Sequence, residues 1–119
     1  MVGFWPMHYV PMVDSKGEFE LELLKSEEAG ILDGWILKEP APQLPNLQGI
    51  PIVIVVGEAS YHQGFDHLTS YVLNPCGVKH DFVRLQDVGI HGNGHMMMLE
   101  KNHLEIADWI LGWLKEHVN

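Results

Sequence analysis

The chain is poor in cysteine, in basic residues and in long apolar runs, and each shortage excludes a class of protein. Its 119 residues include one cysteine, Cys76, which excludes an internal disulfide and gives no sign of an oxidising compartment. Seven Lys and Arg stand against sixteen Asp and Glu, and this net charge of −9 argues against a nucleic-acid partner. No apolar run reaches the roughly 18 residues that a membrane-spanning helix needs.

The N-terminus also lacks two marks of a secretory signal peptide, a basic start and a small-residue cleavage site. We therefore expect a cytoplasmic location. The length limits residues 1–119 to a single domain. A hydrophobic content of 46% and four tryptophans indicate a packed core. Within this domain we distinguish an N-terminal arm with a proline-bearing connector, 1–49, from a segment with regular patterning, 50–119.

The first 49 residues give mixed signals. Residues 1–17 are rich in aromatics and turn formers, which predicts an extended arm that ends in a turn at 14–17. Apolar residues recur every three to four positions between 18 and 37, which predicts one helix or two short helices separated near Gly30 or Gly34. Three prolines between 40 and 45 then predict an extended connector.

The remainder has the order strand, helix, strand, loop, helix. The β-branched run 50–56 predicts a strand buried on both faces, as in a parallel sheet. Residues 65–73 predict a helix, 82–85 a second strand, and 89–94 a glycine-rich loop. A last helix follows Asn102, with Glu105 at the capping-box position. Its predicted apolar stripe consists of Ile106, Ala107, Ile110, Leu111, Leu114 and Val118.

Chemistry in open α/β sheets gathers at the carboxyl ends of the strands. Two loops qualify, 57–67 after the first strand and 89–95 after the second. Because a right-handed crossover makes the two strands parallel, we expect these loops to lie side by side. A carboxylate on one loop and a histidine on the other is the geometry of an acid–base pair.

Three stretches carry a resemblance to a known family: IPIVIVVGE, GNGHMMMLEKN and IADWILGWL. Through them, residues 50–117 resemble the C-terminal part of an α/β-hydrolase of esterase or lipase type. The resemblance implies a partial α/β-hydrolase fold, with a short parallel sheet and flanking helices. It also implies that His95 is the triad histidine.

The triad acid is less well defined. The family often places Asp three residues after the glycine that ends the strand, and Ser60 stands there in this chain. Glu58 and Asp66 are the carboxylates available in the same loop, and in some family members the acid follows an earlier strand. We favour Glu58, because it sits where the strand emerges.

The nucleophile is missing from this pattern, because no G-x-S-x-G occurs in the chain and neither Ser60 nor Ser70 has the flanking glycines. We therefore predict a fragment of an ester hydrolase that is inactive alone, needs no cofactor, and acts on an uncharged ester when completed. The alternative is a non-enzymatic interaction or structural module that self-associates through an exposed sheet edge.

Other side chains have simpler interpretations that stand beside these. His95 is also compatible with a loop histidine that only bonds backbone. His62, His67, His91 and His95 lie in neighbouring segments, but their spacing matches no zinc motif, and we expect no metal site. We expect Met96, Met97 and Met98 to pack in the core, Trp109 and Trp113 to pack against the sheet or the arm, and Cys76 to be unreactive.

Overall fold

The structure is a computed structural model, and it describes residues 7–14 and 18–118. Two small sheets and two helices follow one another along these residues, with short 3-10 turns at Pro45–Leu47, Leu85–Val88 and Met97–Leu99. The elements are β1 (Leu21–Leu24), β2 (Gly34–Leu37), β3 (Val53–Val56), α1 (His67–Leu73), β4 (Asp81–Arg84) and α2 (His103–His117).

The predicted helix at 18–37 is wrong, because this segment forms an antiparallel hairpin in which Leu21 pairs with Leu37. Residues 19–23 also alternate apolar and acidic side chains, and that period of two prevails over the helical spacing. Gly30 has φ of +82°, in the left-handed region that a right-handed helix excludes. The Ser26 amide donates to the Asp33 carboxylate at 2.8 Å and closes the connection between the strands.

The arm and the connector are extended where they are described, as predicted. Val10 and Gln43 form an antiparallel bridge with N–O distances of 2.9 and 2.8 Å. The Leu44 amide donates to the Cys76 carbonyl, so the connector is tied to the turn that follows α1. The turn predicted at 14–17 falls largely on residues 15–17, outside the described residues.

The strand–helix–strand unit of the second half is confirmed. β3 and β4 pair in parallel, with Val53 opposite Asp81 and Val56 opposite Arg84, and α1 is the crossover between them. The structure thus contains a small parallel sheet with two helices, compatible with a partial α/β fold. Only Val56 of β3 is fully buried, and Val53 is half-buried, so the expectation of burial on both faces is met at one end of the strand alone.

The terminal helix α2 follows Asn102 as predicted, but its apolar residues divide between two faces. Ile106 and Trp113 are buried, and Trp109 and Ile110 pack beside them. The Trp113 indole donates to the Asp81 carboxylate at 2.6 Å, which docks the helix on β4. A separate stripe remains exposed and consists of Leu104, Leu111, Leu114 and Val118.

Two apolar clusters hold the described residues together. The larger contains eight buried residues from the arm, the connector, β2 and the segment around α1: Tyr9, Phe19, Leu37, Leu44, Val72, Leu73, Cys76 and Val78. The smaller contains three, Leu85, Ile90 and Ile106. The accessible surface is 7650 Å², whereas a compact monomer of this mass exposes about 6500 Å². None of the described helices is both long and apolar enough to cross a membrane.

Candidate active site

The loops after β3 and β4 meet at the carboxyl edge of the parallel pair, as the topology predicts. The Ala59 amide donates to the Asn93 carbonyl at 2.9 Å. A side chain at Gly57 would overlap that same carbonyl, so glycine is needed for the two backbones to approach. The end of β3 therefore contacts the loop that carries His95.

His95 lies against aromatic rings of the first loop. Its imidazole stacks on that of His62 with ring centroids 4.1 Å apart and an interplanar angle of 12°. The Tyr61 ring lies 4.8 Å away. The Nδ1 atom of His95 faces the Ser60 hydroxyl oxygen at 3.5 Å. This arrangement leaves Nε2, the atom that exchanges the nucleophile's proton in a Ser-His-Asp triad, on the opposite side of the ring.

Glu58, the favoured acid, is bonded elsewhere. Its carboxylate accepts from the Gly92 amide at 2.8 Å and from His91 Nδ1 at 3.2 Å. The expected hydrogen bond between Glu58 and His95 is therefore replaced by one that holds the neighbouring histidine. Gly92 has φ of +80°, a conformation that suits glycine and turns its amide toward the carboxylate.

Asp66 reaches the site through a second histidine. Its carboxylate accepts from His62 Nδ1 at 2.7 Å, and both side chains are only partly exposed. Since His62 stacks on His95, the three groups form a continuous set of carboxylate, imidazole and imidazole. Direct carboxylate contact with His95 is not observed within the described part of the chain, and the roles of His95, Glu58 and Asp66 stay predictions.

The loop that carries His95 is closed by two polar contacts. Asn93, which is buried, exchanges side-chain hydrogen bonds with Asn102 at the start of α2. The Gly94 amide donates to the Glu100 carboxylate at 2.8 Å. Asn102 thus precedes the helix as predicted, but its side chain bonds Asn93 rather than the first turn of α2.

Ser60 and His62 are the contacts that sequence analysis did not assign to the site. Ser60 occupies the position where the family often has Asp, and that position faces His95 Nδ1. Its place three residues after Gly57 was the available signal. The side chain is buried and also accepts from the His62 amide at 3.1 Å, so it fixes the first turn of the loop.

The other predictions fare unevenly. Met96 and Met98 are exposed, so only Met97 packs in the smaller cluster, and the expectation of a buried methionine run is wrong for two of the three. Trp109 and Trp113 pack as expected. Among the described residues no three His, Cys, Asp or Glu side chains converge as metal ligands. Cys76 is fully buried, and burial raises the pKa of its thiol to about 11.

Comparison with known proteins gives one curated relative at significant similarity. Over 78 residues the chain is 46% identical to a protein from Fungal sp. (strain ATCC 74256) that is described as a probable secreted lipase. The match covers 66% of this chain and 21% of the relative, so the chain spans about a fifth of that protein's length. No family model matches the chain. No solved structure matches it either.

The relative decides two of the expectations. It is named as secreted, which overturns the expected cytoplasmic location. The resemblance to an esterase or lipase type of hydrolase is confirmed by the same match. This chain is thus similar, over about two thirds of its length, to a segment of a lipase-like hydrolase.

Proposed function

We propose that this chain supplies the C-terminal part of a lipase-type ester hydrolase, in which His95 is the general base. The observation that carries the proposal is the 46% identity over 78 residues to a protein described as a secreted lipase. The position of His95 supports it, because the histidine lies on a loop at the carboxyl edge of a parallel pair. The substrate class is an uncharged ester, and the compartment is extracellular, as the relative's name suggests.

In this proposal His95 accepts the proton of a serine nucleophile through Nε2 and later returns it to the leaving group. Stacking on His62 and contact of Nδ1 with Ser60 hold the imidazole plane. Asp66 fixes His62 through the 2.7 Å hydrogen bond, and Glu58 fixes the loop backbone at Gly92. Both carboxylates are positioning groups here, and neither touches the ring that exchanges protons.

The nucleophile and the oxyanion hole come from outside the described site. Ser60 contacts His95, but its hydroxyl is buried, faces Nδ1 and accepts from a backbone amide. A serine nucleophile needs an exposed hydroxyl opposite the base and amide donors beside it. We expect the chain alone to show no turnover of short-chain esters.

A chimera tests this function. A segment of this chain that contains the 78 matched residues and His95 replaces the corresponding part of the similar lipase, and hydrolysis of p-nitrophenyl butyrate is measured. We expect activity in the chimera and a loss of at least about a thousandfold in kcat for His95→Ala. His91→Ala is the matched control, because His91 is an exposed histidine of the same loop, and it should retain activity within a few fold. A folded chimera in which both variants behave alike would refute the role of His95.

A self-associating interaction module is the second candidate, and α2 favours it. The helix buries Ile106 and Trp113 on one side and exposes three apolar residues on the other, Leu104, Leu111 and Leu114, and the exposed Val118 follows its end. This stripe supplies a surface for a second copy of the chain. Sedimentation at micromolar concentration tests this function: a dimer that dissociates in Leu111→Lys supports it, and a monomer at every concentration removes it. Glu105→Lys, which changes charge on an exposed helix position outside the stripe, is the control.

A further inference from the structure

A cavity on another side of α1 contains the polar groups that the proposed hydrolase chemistry does not use. Its volume is about 370 Å³, near the lower end of the roughly 300–1,000 Å³ of small-molecule sites. It lies between the hairpin connection, α1 and β4. The side chains that matter for binding are Lys25, Glu28, His67, Phe82 and Arg84.

His67 is the first sign that the cavity accepts a ligand. The side chain is 7% exposed, and apart from the Leu32 backbone its two ring nitrogens have no hydrogen-bond partner among the described residues, so at least one of them is unpaired. Burial lowers the pKa of this histidine, an effect that the Leu32 backbone partly offsets, so the ring is favoured in its neutral form. A neutral imidazole presents one N–H donor and one acceptor. A buried polar group without a partner is uncommon, because its desolvation is not compensated.

Arg84 is the second sign, and it is independent of the first. Its Nη1 donates to the Glu28 carboxylate at 3.2 Å, while its Nε–H is buried without a partner. The Nε–H and Nη2 groups point to the same side of a guanidinium, away from Nη1, and together they form the side-on fork that binds a carboxylate with two hydrogen bonds. The ion pair with Glu28 therefore leaves the Nε–H of this fork unpaired among the described residues.

The walls of the cavity determine the rest of the ligand. Leu24, Ile31 and Phe82 are half-buried and supply apolar surface next to the guanidinium. The Phe82 ring lies under Arg84, with the guanidinium carbon 5.9 Å from the ring centroid. We propose that this cavity binds a small monocarboxylic acid with an apolar or aromatic body, with its carboxylate on the Nε side of Arg84 and next to His67.

The charged side chains of the lining balance one another, so the exposure of its carboxylates decides whether an anion is repelled. Lys25 and Arg84 stand against Glu28 and Asp87, and Glu28 is largely exposed, with 63% of its side chain in solvent. Solvent screens the repulsion between such an exposed carboxylate and a ligand bound on the other edge of Arg84. The site is separate from the His95 loops and does not depend on the proposed hydrolase function.

The test uses the 119-residue chain, with 4-phenylbutyrate as the probe and 4-phenylbutan-1-ol as its uncharged match. Binding is followed by ¹H–¹⁵N NMR, including the Nε–H signal of Arg84. We expect saturable binding of the acid that shifts this signal, and binding of the alcohol at least about tenfold weaker, because the alcohol has no carboxylate for the fork. Equal binding of acid and alcohol, or no saturation with the acid, would overturn the proposal.

Variants then assign the contacts. Arg84→Gln and Arg84→Lys should each weaken binding at least about tenfold, since both lack the Nε–H fork. Glu28→Gln breaks the same ion pair but keeps the fork, so it should bind as well as the parent or more tightly. His67→Phe keeps the ring volume without its nitrogens and should weaken binding several-fold. His95→Ala should not change binding. Unchanged binding in a folded Arg84→Lys chain would show that the probe sits elsewhere on the apolar surface, and would refute the site.

Discussion

The two apolar clusters of this chain differ in size, in origin and in what lies above them. The larger cluster joins distant parts of the chain, from Tyr9 through Leu37 to Val78, and its eight buried members come in equal numbers from the N-terminal 49 residues and from the segment around α1. The smaller contains Leu85, Ile90 and Ile106 and supports the loop that carries His95. The larger core is therefore shared between the first 49 residues and the segment around α1, while the candidate chemistry rests on a small core.

The largest effect is expected in the larger cluster. Leu44 is 1% exposed, and Leu44→Ala should lower the free energy of unfolding by about 2–5 kcal/mol, because it leaves a cavity between the connector and α1. Urea unfolding measures the change. Leu32→Ala, at a position 56% exposed, is the control and should stay within about 0.5 kcal/mol. Equal losses in the two variants would mean that the larger cluster is not a core.

The smaller cluster should respond with a local effect as well as a global one. Leu85→Ala should cost about 2–3 kcal/mol, less than Leu44→Ala, because half-exposed neighbours such as Met97 can move into the space. The Leu85 carbonyl accepts from the Ile90 amide at 2.9 Å, so hydrogen exchange of that amide should accelerate in the variant. A greater loss of stability than in Leu44→Ala would reverse the comparison between the clusters.

The hydrogen bonds between Asn93 and Asn102, which close the His95 loop, are expected to contribute less to the free energy of unfolding. Asn93→Ala leaves the Asn102 amide without its buried partner and should cost about 1–3 kcal/mol. In a double-mutant cycle with Asn102→Ala, the second substitution should cost little once the first is made. Additive losses would show that the two amides are not coupled.

The smallest effect is expected at Cys76, where labelling of the thiol measures whether the larger cluster opens. Burial holds the pKa of the Cys76 thiol at about 11, against 9.0 for the exposed group, so the thiolate is scarce at pH 8. Labelling by iodoacetamide should be far slower in the folded chain than in urea, and the folded rate should keep rising between pH 9 and 11. A folded rate equal to the rate in urea at pH 8 would mean that this cluster opens readily.

The predictive power of the sequence follows the same division. β3, α1, β4 and α2 were predictable because the apolar pattern of each segment and the turn residues that flank it agree there. The hairpin was not, because Leu21, Leu24 and Trp35 fit a helical spacing as well as an alternating one. The positive φ of Gly30 and the Ser26–Asp33 hydrogen bond decide between the two, and neither is visible as a pattern.

In the site, loop adjacency followed from parallel topology, and this was enough to place His95 at the edge of the sheet. The partners of its ring could not be derived this way. Stacking of His95 on His62 depends on the conformations of the two side chains. The contact of Glu58 with Gly92 depends on the left-handed backbone of Gly92. The place of Glu58 at the end of the strand therefore did not reveal its contacts with Gly92 and His91, and its role as the triad acid stays a prediction.

The hydrogen bonds that close the His95 loop attach the two halves of the site to different elements. Asn93 and Asn102 join the two ends of the loop, and the Gly94–Glu100 bond forms a second rung inside it. His95 is thereby attached to the axis of α2, whereas Ser60 and His62 belong to the strand side. Residues 96–99 lie beyond both rungs, and lengthening a loop there costs only about 0.6 kcal/mol for each doubling of its length. Length can thus change at the exposed Met98 and Leu99, while Met97 keeps its place in the smaller cluster and the imidazole keeps its position relative to the helix.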